Sequence, residues 1–163
     1  MPEVAQHAEG KAEGDRAVSP SRIVVGVDAS EESREALRWA ARYARSMGAS
    51  LDIVHAWHVS DEHAWLQSLP PPANPTDVAR KALAQVVDEV VTPGSVPVRS
   101  SVLEGHAAQV LVTVAQGAHM LVVGSRGFGG FDGLLLGSVS GHCAAHATCS
   151  VAIIRAQGGP TGG

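Results

Sequence analysis

Apolar residues fall along this chain in two alternating rhythms. Arg22-Ile23-Val24-Val25-Gly26-Val27-Asp28 is a short β-branched run, the pattern of a parallel strand buried on both faces. In the next segment Leu37, Ala40, Ala41, Ala44 and Met47 recur at helical spacing, with Arg34, Arg38, Arg42 and Arg45 on the wetter side. Ser30 suits the N-cap of that helix, Glu31 and Glu32 complement its dipole, and Gly48 ends it. The alternation then repeats. Residues 51–57 predict a second strand, and residues 77–91 a helix with Val78, Leu83, Val86, Val87 and Val90 at helical spacing. Thr76 is its expected N-cap and Pro93-Gly94 its stop. A third strand is expected over 96–103, ending at Glu104-Gly105. A third helix follows over 107–116, with Val110, Leu111, Val114 and Ala115 inward and Gly117 as C-cap. Residues 119–123 form a fourth strand, a fourth helix follows, and 150–154 form a fifth strand. Strict alternation implies an α/β fold in which right-handed crossovers cover both faces of a parallel sheet.

Composition sets the outer limits. The chain has 163 residues, 45% of them hydrophobic, which suits one domain with a substantial core. Residues 1–20 are polar, small and aperiodic and read as a disordered tail; residues 157–163, rich in glycine, read as a flexible end. The domain is expected over 21–156. Between 58 and 75, Pro70-Pro71-Pro72 and Asn74-Pro75 mark a stiffened excursion from the core, with Trp57 and Trp65 packing beneath it or helping to cover a pocket. A net charge of −4 argues against a nucleic-acid surface. No apolar run approaches a membrane span, and the N-terminus carries no signal pattern, so a cytoplasmic location is expected. Cys143 and Cys149 offer no disulfide framework.

The stretch GSRGFGGFDGLLLGSVS, from Gly124 to Ser140, carries the candidate chemistry. Gly124 and Gly127 are three apart, and nine residues separate Gly127 from Gly137-Ser138. Glycine admits positive φ and lets a ligand meet the backbone without a Cβ, and the helix start that follows presents N–H groups to an anion. Gly137, Ser138, Val139 and Ser140 would supply those N–H groups, with two hydroxyls beside them. A flexible glycine loop with an ordinary serine cap explains the same letters. No lysine precedes Ser138, so this is not a Walker loop, and it is not a dinucleotide fingerprint after the first strand. Asp28, at the carboxyl end of the first strand, is either a turn residue satisfying backbone N–H groups or, opposite a phosphate loop, a partner for ribose hydroxyls.

The spacing G-x2-G-x9-G-S resembles that of the ATP-binding universal stress proteins. Three other stretches resemble the same family: Val24 through Ser30, Leu103-Glu104-Gly105-His106-Ala107-Ala108, and Leu121 through Gly127. The resemblance covers about residues 21–156, in the family's order. It implies a three-layer αβα sandwich, Rossmann-like and akin to the adenine nucleotide alpha hydrolases. The five parallel strands would lie in the order 3-2-1-4-5, with the nucleotide over strands 1 and 4. Val27 and Asp28 would then belong to the nucleotide site, with Asp28 bonding the ribose, the backbone of Ala56 recognising adenine and Gly124 near the ribose. Gly127, Gly137, Ser138 and Val139 would hold phosphate through N–H groups, Ser138 and Ser140 would add hydroxyls, and Arg126 would reach phosphate or solvent. The implied ligand is ATP with Mg2+, with AMP and cyclic AMP as alternatives. The implied partner is a second copy, joined through the strand at 150–155. His119 departs from the family's usual aspartate, and Cys149-Ser150 from its usual Cys-Pro.

Two other chemistries are weaker. His142, Cys143, His146 and Cys149 fall within eight residues, but Cys143 lies on a different helix face from His142, and Cys149 starts the next strand. No catalytic set emerges, because an ATPase needs a group that orients water and charge that stabilises the transferring phosphoryl. The expectation is an ATP-binding stress or regulatory protein with at most slow hydrolysis. The alternatives are a nucleotidyl or phosphoryl transferase on the same fold and a non-nucleotide interaction module.

Overall fold

The computed structural model describes residues 21–58, 74–127 and 135–156. The expected tails, most of the proline-rich excursion with Trp65, and Phe128 and Phe131 lie outside the described residues. Five strands and four helices alternate: β1 (Arg22–Gly26), α1 (Glu31–Met47), β2 (Ser50–Trp57), α2 (Pro75–Val90), β3 (Val98–Glu104), α3 (Ala107–Val114), β4 (Met120–Gly124), α4 (Ser138–His146) and β5 (Ser150–Ile154). The sheet is parallel and runs β3-β2-β1-β4-β5, the expected order.

Period-2 alternation divides the apolar residues of the strands between two cores. Ile23, Val25, Leu51, Ile53 and Val122 pack with Ala36, Leu37, Ala40 and Ala44 of α1 and with Leu83 and Val86 of α2. Val24, Val54, Leu121 and Val123 point the other way, onto Leu111 and Ala115 and onto Cys143 of α4. Continuous apolar runs in β1 and β4 therefore mean burial on both faces. At the base of the sheet Arg22 reaches Asp52 at 3.1 Å and the carbonyls of Val114 and Gln116 at 3.1 and 2.9 Å. A guanidinium at the carbonyl end of α3 meets both the orphan acceptors and the negative end of the dipole.

Helix ends follow local chemistry, with some departures from the pattern. Ser30 caps α1 by accepting from the N–H of Ser33, and Gly48 closes it in the left-handed region at φ 61°. α2 starts earlier than Thr76 suggested: Asn74 is the N-cap and Pro75 takes the first helical position, where its missing N–H costs nothing. α3 stops at Val114 with Ala115 as C-cap, so Gly117, expected to be the cap, comes two residues later. β1 ends at Gly26 rather than Asp28, and β3 begins at Val98 rather than 96. Met47 and Val78, both at helical core spacing, are exposed; Met47 is the last residue of α1 and Val78 lies in the first turn of α2. The arginines of α1 lie outward, with Arg34 paired to Glu89 and Arg38 to Glu31 and Glu35.

Cys143 is fully buried against the strands, and burial, aided by Cys149, pushes its thiol up to about 11 from 9.0. The folded state therefore keeps a proton that the unfolded chain loses first. The stabilisation is complete below about pH 9 and is lost as pH rises toward 11. Wild-type stability should fall over that interval by about 2–3 kcal/mol more than that of Cys143→Ala. Urea midpoints at pH 8 and pH 11 measure it; parallel declines would show that the thiol ionises freely within the fold.

Candidate functional site

β1 is the reversal point of the sheet, with β2 on one side and β4 on the other. Crossovers leave its carboxyl end in opposite directions, and a crevice opens there. It is a cleft of about 360 Å³, lined from β2 across β1 to β4 and flanked by α3 and α4. All ten residues singled out from the sequence line it: Val27, Asp28, Ala56, Gly124, Arg126, Gly127, Gly137, Ser138, Val139 and Ser140.

The cleft changes character along its length. Toward β2 and α3 it is apolar, with Val54, Ala56, Ala107 and Leu111. Ala56 also brings backbone groups. The carbonyl of Trp57 accepts from Gly105 N–H on the β3 side, so the strand's alternation turns the N–H and C=O of Ala56 toward β1. β1 ends at Gly26 and its next residue, Val27, donates to Val54 O at 2.9 Å, so the Ala56 groups face the cleft beyond the end of that strand. The Val27 carbonyl is held by Nδ1 of His55 at 2.7 Å.

Asp28 occupies the middle. Its Oδ1 accepts from the N–H of Ser30 at 3.0 Å and from the Ser30 hydroxyl, which is the turn-residue role. Ala29 makes this turn with φ 65°, unusual for a residue with a Cβ and a local strain held between a strand end and a capped helix. Ser33 Oγ accepts from the N–H of Asp28 at 3.3 Å and donates to Ser30 O at 3.0 Å. Oδ2 lies across the cleft against Gly127, where any added Cβ would strike it.

At the far end the loop after β4 is clamped to α4. The Ser125 carbonyl accepts from Gly137 N–H at 2.7 Å and from Ser140 Oγ at 2.9 Å, while Ser125 N–H donates to Ile154 O at 2.7 Å. Three sequence expectations change here. The N–H of Gly137 is committed to Ser125, so it is no phosphate donor. The Ser140 hydroxyl donates inward, leaving Ser140 only its N–H for the cleft. Neither Gly127 nor Gly137 has positive φ; Gly137 sits at φ −72°. Glycine is needed for space, since a Cβ at Gly137 would come within 3.3 Å of Arg126 Cα and one at Gly124 within 2.9 Å of the Glu32 backbone. The N–H groups of Ser138, Val139 and Ser140 begin α4 and have no carbonyl one turn back within the helix. Ser138 is exposed and lines the cleft. Arg126 is the one cation among the described lining residues and makes no ion pair with them.

Pattern reading missed Gly26, Ser33, Val54, Ala107, Leu111 and Val123 in the lining. Gly26 carried a signal: a glycine inside a β-branched run marks a close approach, and its Cβ would meet Leu111 at 2.7 Å. The others are ordinary core letters. Among the described residues no group of three or more His, Cys, Asp or Glu side chains could hold a metal, and no helix is long and apolar enough to cross a membrane.

Sheet order and cleft define an open, doubly wound α/β protein with a cleft at the switch point. The chain belongs to the universal stress protein family, whose family model matches residues 20–155. It is 37% identical over 141 residues to Universal stress protein Rv2623 of Mycobacterium tuberculosis, a match covering 82% of this chain and 47% of that relative. It thus spans about half the length of that relative. A universal stress protein UspA from Lactobacillus plantarum shares the fold with a TM-score of 0.67 at 20% identity, over 83% of this chain and 97% of that one. A universal stress protein solved in complex with cAMP aligns with a TM-score of 0.61 at 25% identity, over 85% and 98%.

Proposed function

We propose that the chain binds an adenine nucleotide, ATP foremost, in the switch-point cleft and acts as a nucleotide-dependent stress-response or regulatory protein. The observation that carries this reading is the graded lining. An apolar end with in-plane backbone donors and acceptors suits a purine. A carboxylate at the middle suits vicinal hydroxyls, and a helix start with a nearby guanidinium suits phosphate. The neighbour solved with cAMP supports the ligand class. Ala56 would read the base, Val27, Asp28 and Gly124 the ribose, and Ser138, Val139, Ser140 and Arg126 the phosphates, with Gly127 and Gly137 leaving them room. Mg2+ would arrive on the phosphates, since it keeps most of its waters and needs no all-protein cage. Regulation rather than group transfer is favoured because Asp28 is already engaged in the turn and no lysine is among the described residues that line the cleft. Two copies of the chain would pair through β5.

Asp28→Asn tests the ribose contact better than Asp28→Ala. Asparagine keeps the Oδ1 acceptor for Ser30 and replaces the Oδ2 acceptor with a donor. ATP affinity should fall by about 1.5–3 kcal/mol, the range for hydrogen bonds to a charged group. By calorimetry 2′,3′-dideoxy-ATP should bind the wild type that much more weakly than ATP, and the variant about equally. Equal discrimination by both proteins would remove Asp28 from the ribose.

A further inference from the structure

The last two turns of α4 hold a pair of imidazoles that the cleft does not use. His142 and His146 are one turn apart on one helix face, with ring centroids 4.3 Å apart and planes tilted by 42°. His142 is half-buried and His146 exposed. We propose that His142 and His146 form a bidentate surface site for a borderline divalent transition-metal ion of the Cu2+, Ni2+ and Zn2+ class.

Ligand geometry supports this. Metal–nitrogen bonds of about 2.0–2.1 Å put each ring centroid roughly 3.2 Å from the ion, so two rings on adjacent coordination positions stand about 4.5–5 Å apart. The observed pair needs only a small opening to reach that separation. Imidazole selects this class of ion over Mg2+ and Ca2+, which prefer oxygen. The position adds a second, independent attraction. His146 is the final residue of α4, where orphan carbonyls and the negative end of the dipole favour a cation. Cys143 is not a third ligand: it lies about 100° from His142 around the helix and is fully buried in the core. Among the described residues no third side chain completes the set, so water fills the remaining positions and the ion exchanges readily. His58 and His106, with centroids 4.0 Å apart on two different elements, form the natural control.

The test is titration of the untagged full chain with Cu2+ or Ni2+ alone, followed by calorimetry. Wild type should bind one ion at this site, Cu2+ more tightly than Ni2+. His142→Ala and His146→Gln should each lose about tenfold or more in affinity. The double variant should lose no more than either single one, because one imidazole cannot chelate. His58→Ala/His106→Ala should bind as wild type does. Wild-type affinity in the α4 variants, additive small losses, or loss confined to the His58/His106 variant would each overturn the proposal. Far-ultraviolet circular dichroism confirms that each variant is folded.

Discussion

Gly127→Val should weaken ATP binding by at least about 100-fold, about 2.7 kcal/mol, while leaving the fold intact. Gly127 is exposed, and its φ is one that any residue can adopt, so valine costs the folded chain little. The new Cβ would instead strike Asp28 Oδ2, and its methyl groups would enter the space above the first turn of α4. On the proposed assignment the sugar contact and the phosphate space are lost together. Gly137→Val should lose ATP as well, by a different route. Its Cβ would sit 3.3 Å from Arg126 Cα and 3.4 Å from Ser125 O, so its branches would prise the loop after β4 from α4 and strain the clamp on Ser125. That variant should therefore also lose thermal stability, whereas Gly127→Val should not. Calorimetry with ATP, paired with thermal melts, separates the two. A folded Gly127→Val protein that holds ATP as the wild type does would sink the assignment of this cleft to the nucleotide.

The second large effect concerns assembly. β5 is an edge, paired to β4 alone among the described residues, with Val151, Ala152, Ile153 and Ile154 each half-buried in one copy. Val151 and Ile153 lean on the α3–α4 side and Ala152 and Ile154 on the α1 side. An apolar edge without charge until Arg155 is a pairing hazard, and two-fold pairing of identical edges removes it. The register decides which substitution tests this. Ile154 O accepts from Ser125 N–H, so Ser150, Ala152 and Ile154 bond inward to β4, while Val151 and Ile153 turn their N–H groups outward. Ala152→Pro, the obvious edge substitution from sequence, would break a β4–β5 bond and destabilise the single copy. Val151→Pro removes an outward donor and leaves the β4–β5 hydrogen bonds in place. Sedimentation velocity should show a dimer for wild type and a folded monomer for Val151→Pro. A wild-type chain sedimenting as a monomer at micromolar concentration would defeat the pairing.

The sequence by itself determined the order and type of every strand and helix, because burial on two faces writes continuous β-branched runs such as Ile23-Val24-Val25 and the helices write 3.6-residue stripes. Its family resemblance also named ten residues that gather in one cleft, although glycine spacing alone was equally open to an ordinary loop. Tertiary structure decided what each of those groups is able to do. That Gly137 N–H and the Ser140 hydroxyl are spent on Ser125 depends on where two distant segments meet, which no local pattern encodes. The reason for glycine at 127 is the carboxylate of Asp28, nearly a hundred residues earlier, and not a backbone dihedral of its own. Met47 and Val78 are exposed near helix ends, and helical periodicity marks which face is apolar but not how far along the helix that face is covered. The backbone groups of Ala56 face the cleft because the pairing of β1 stops at Gly26 opposite Val54 while β2 runs on to Trp57, and strand register is a property of the assembled sheet.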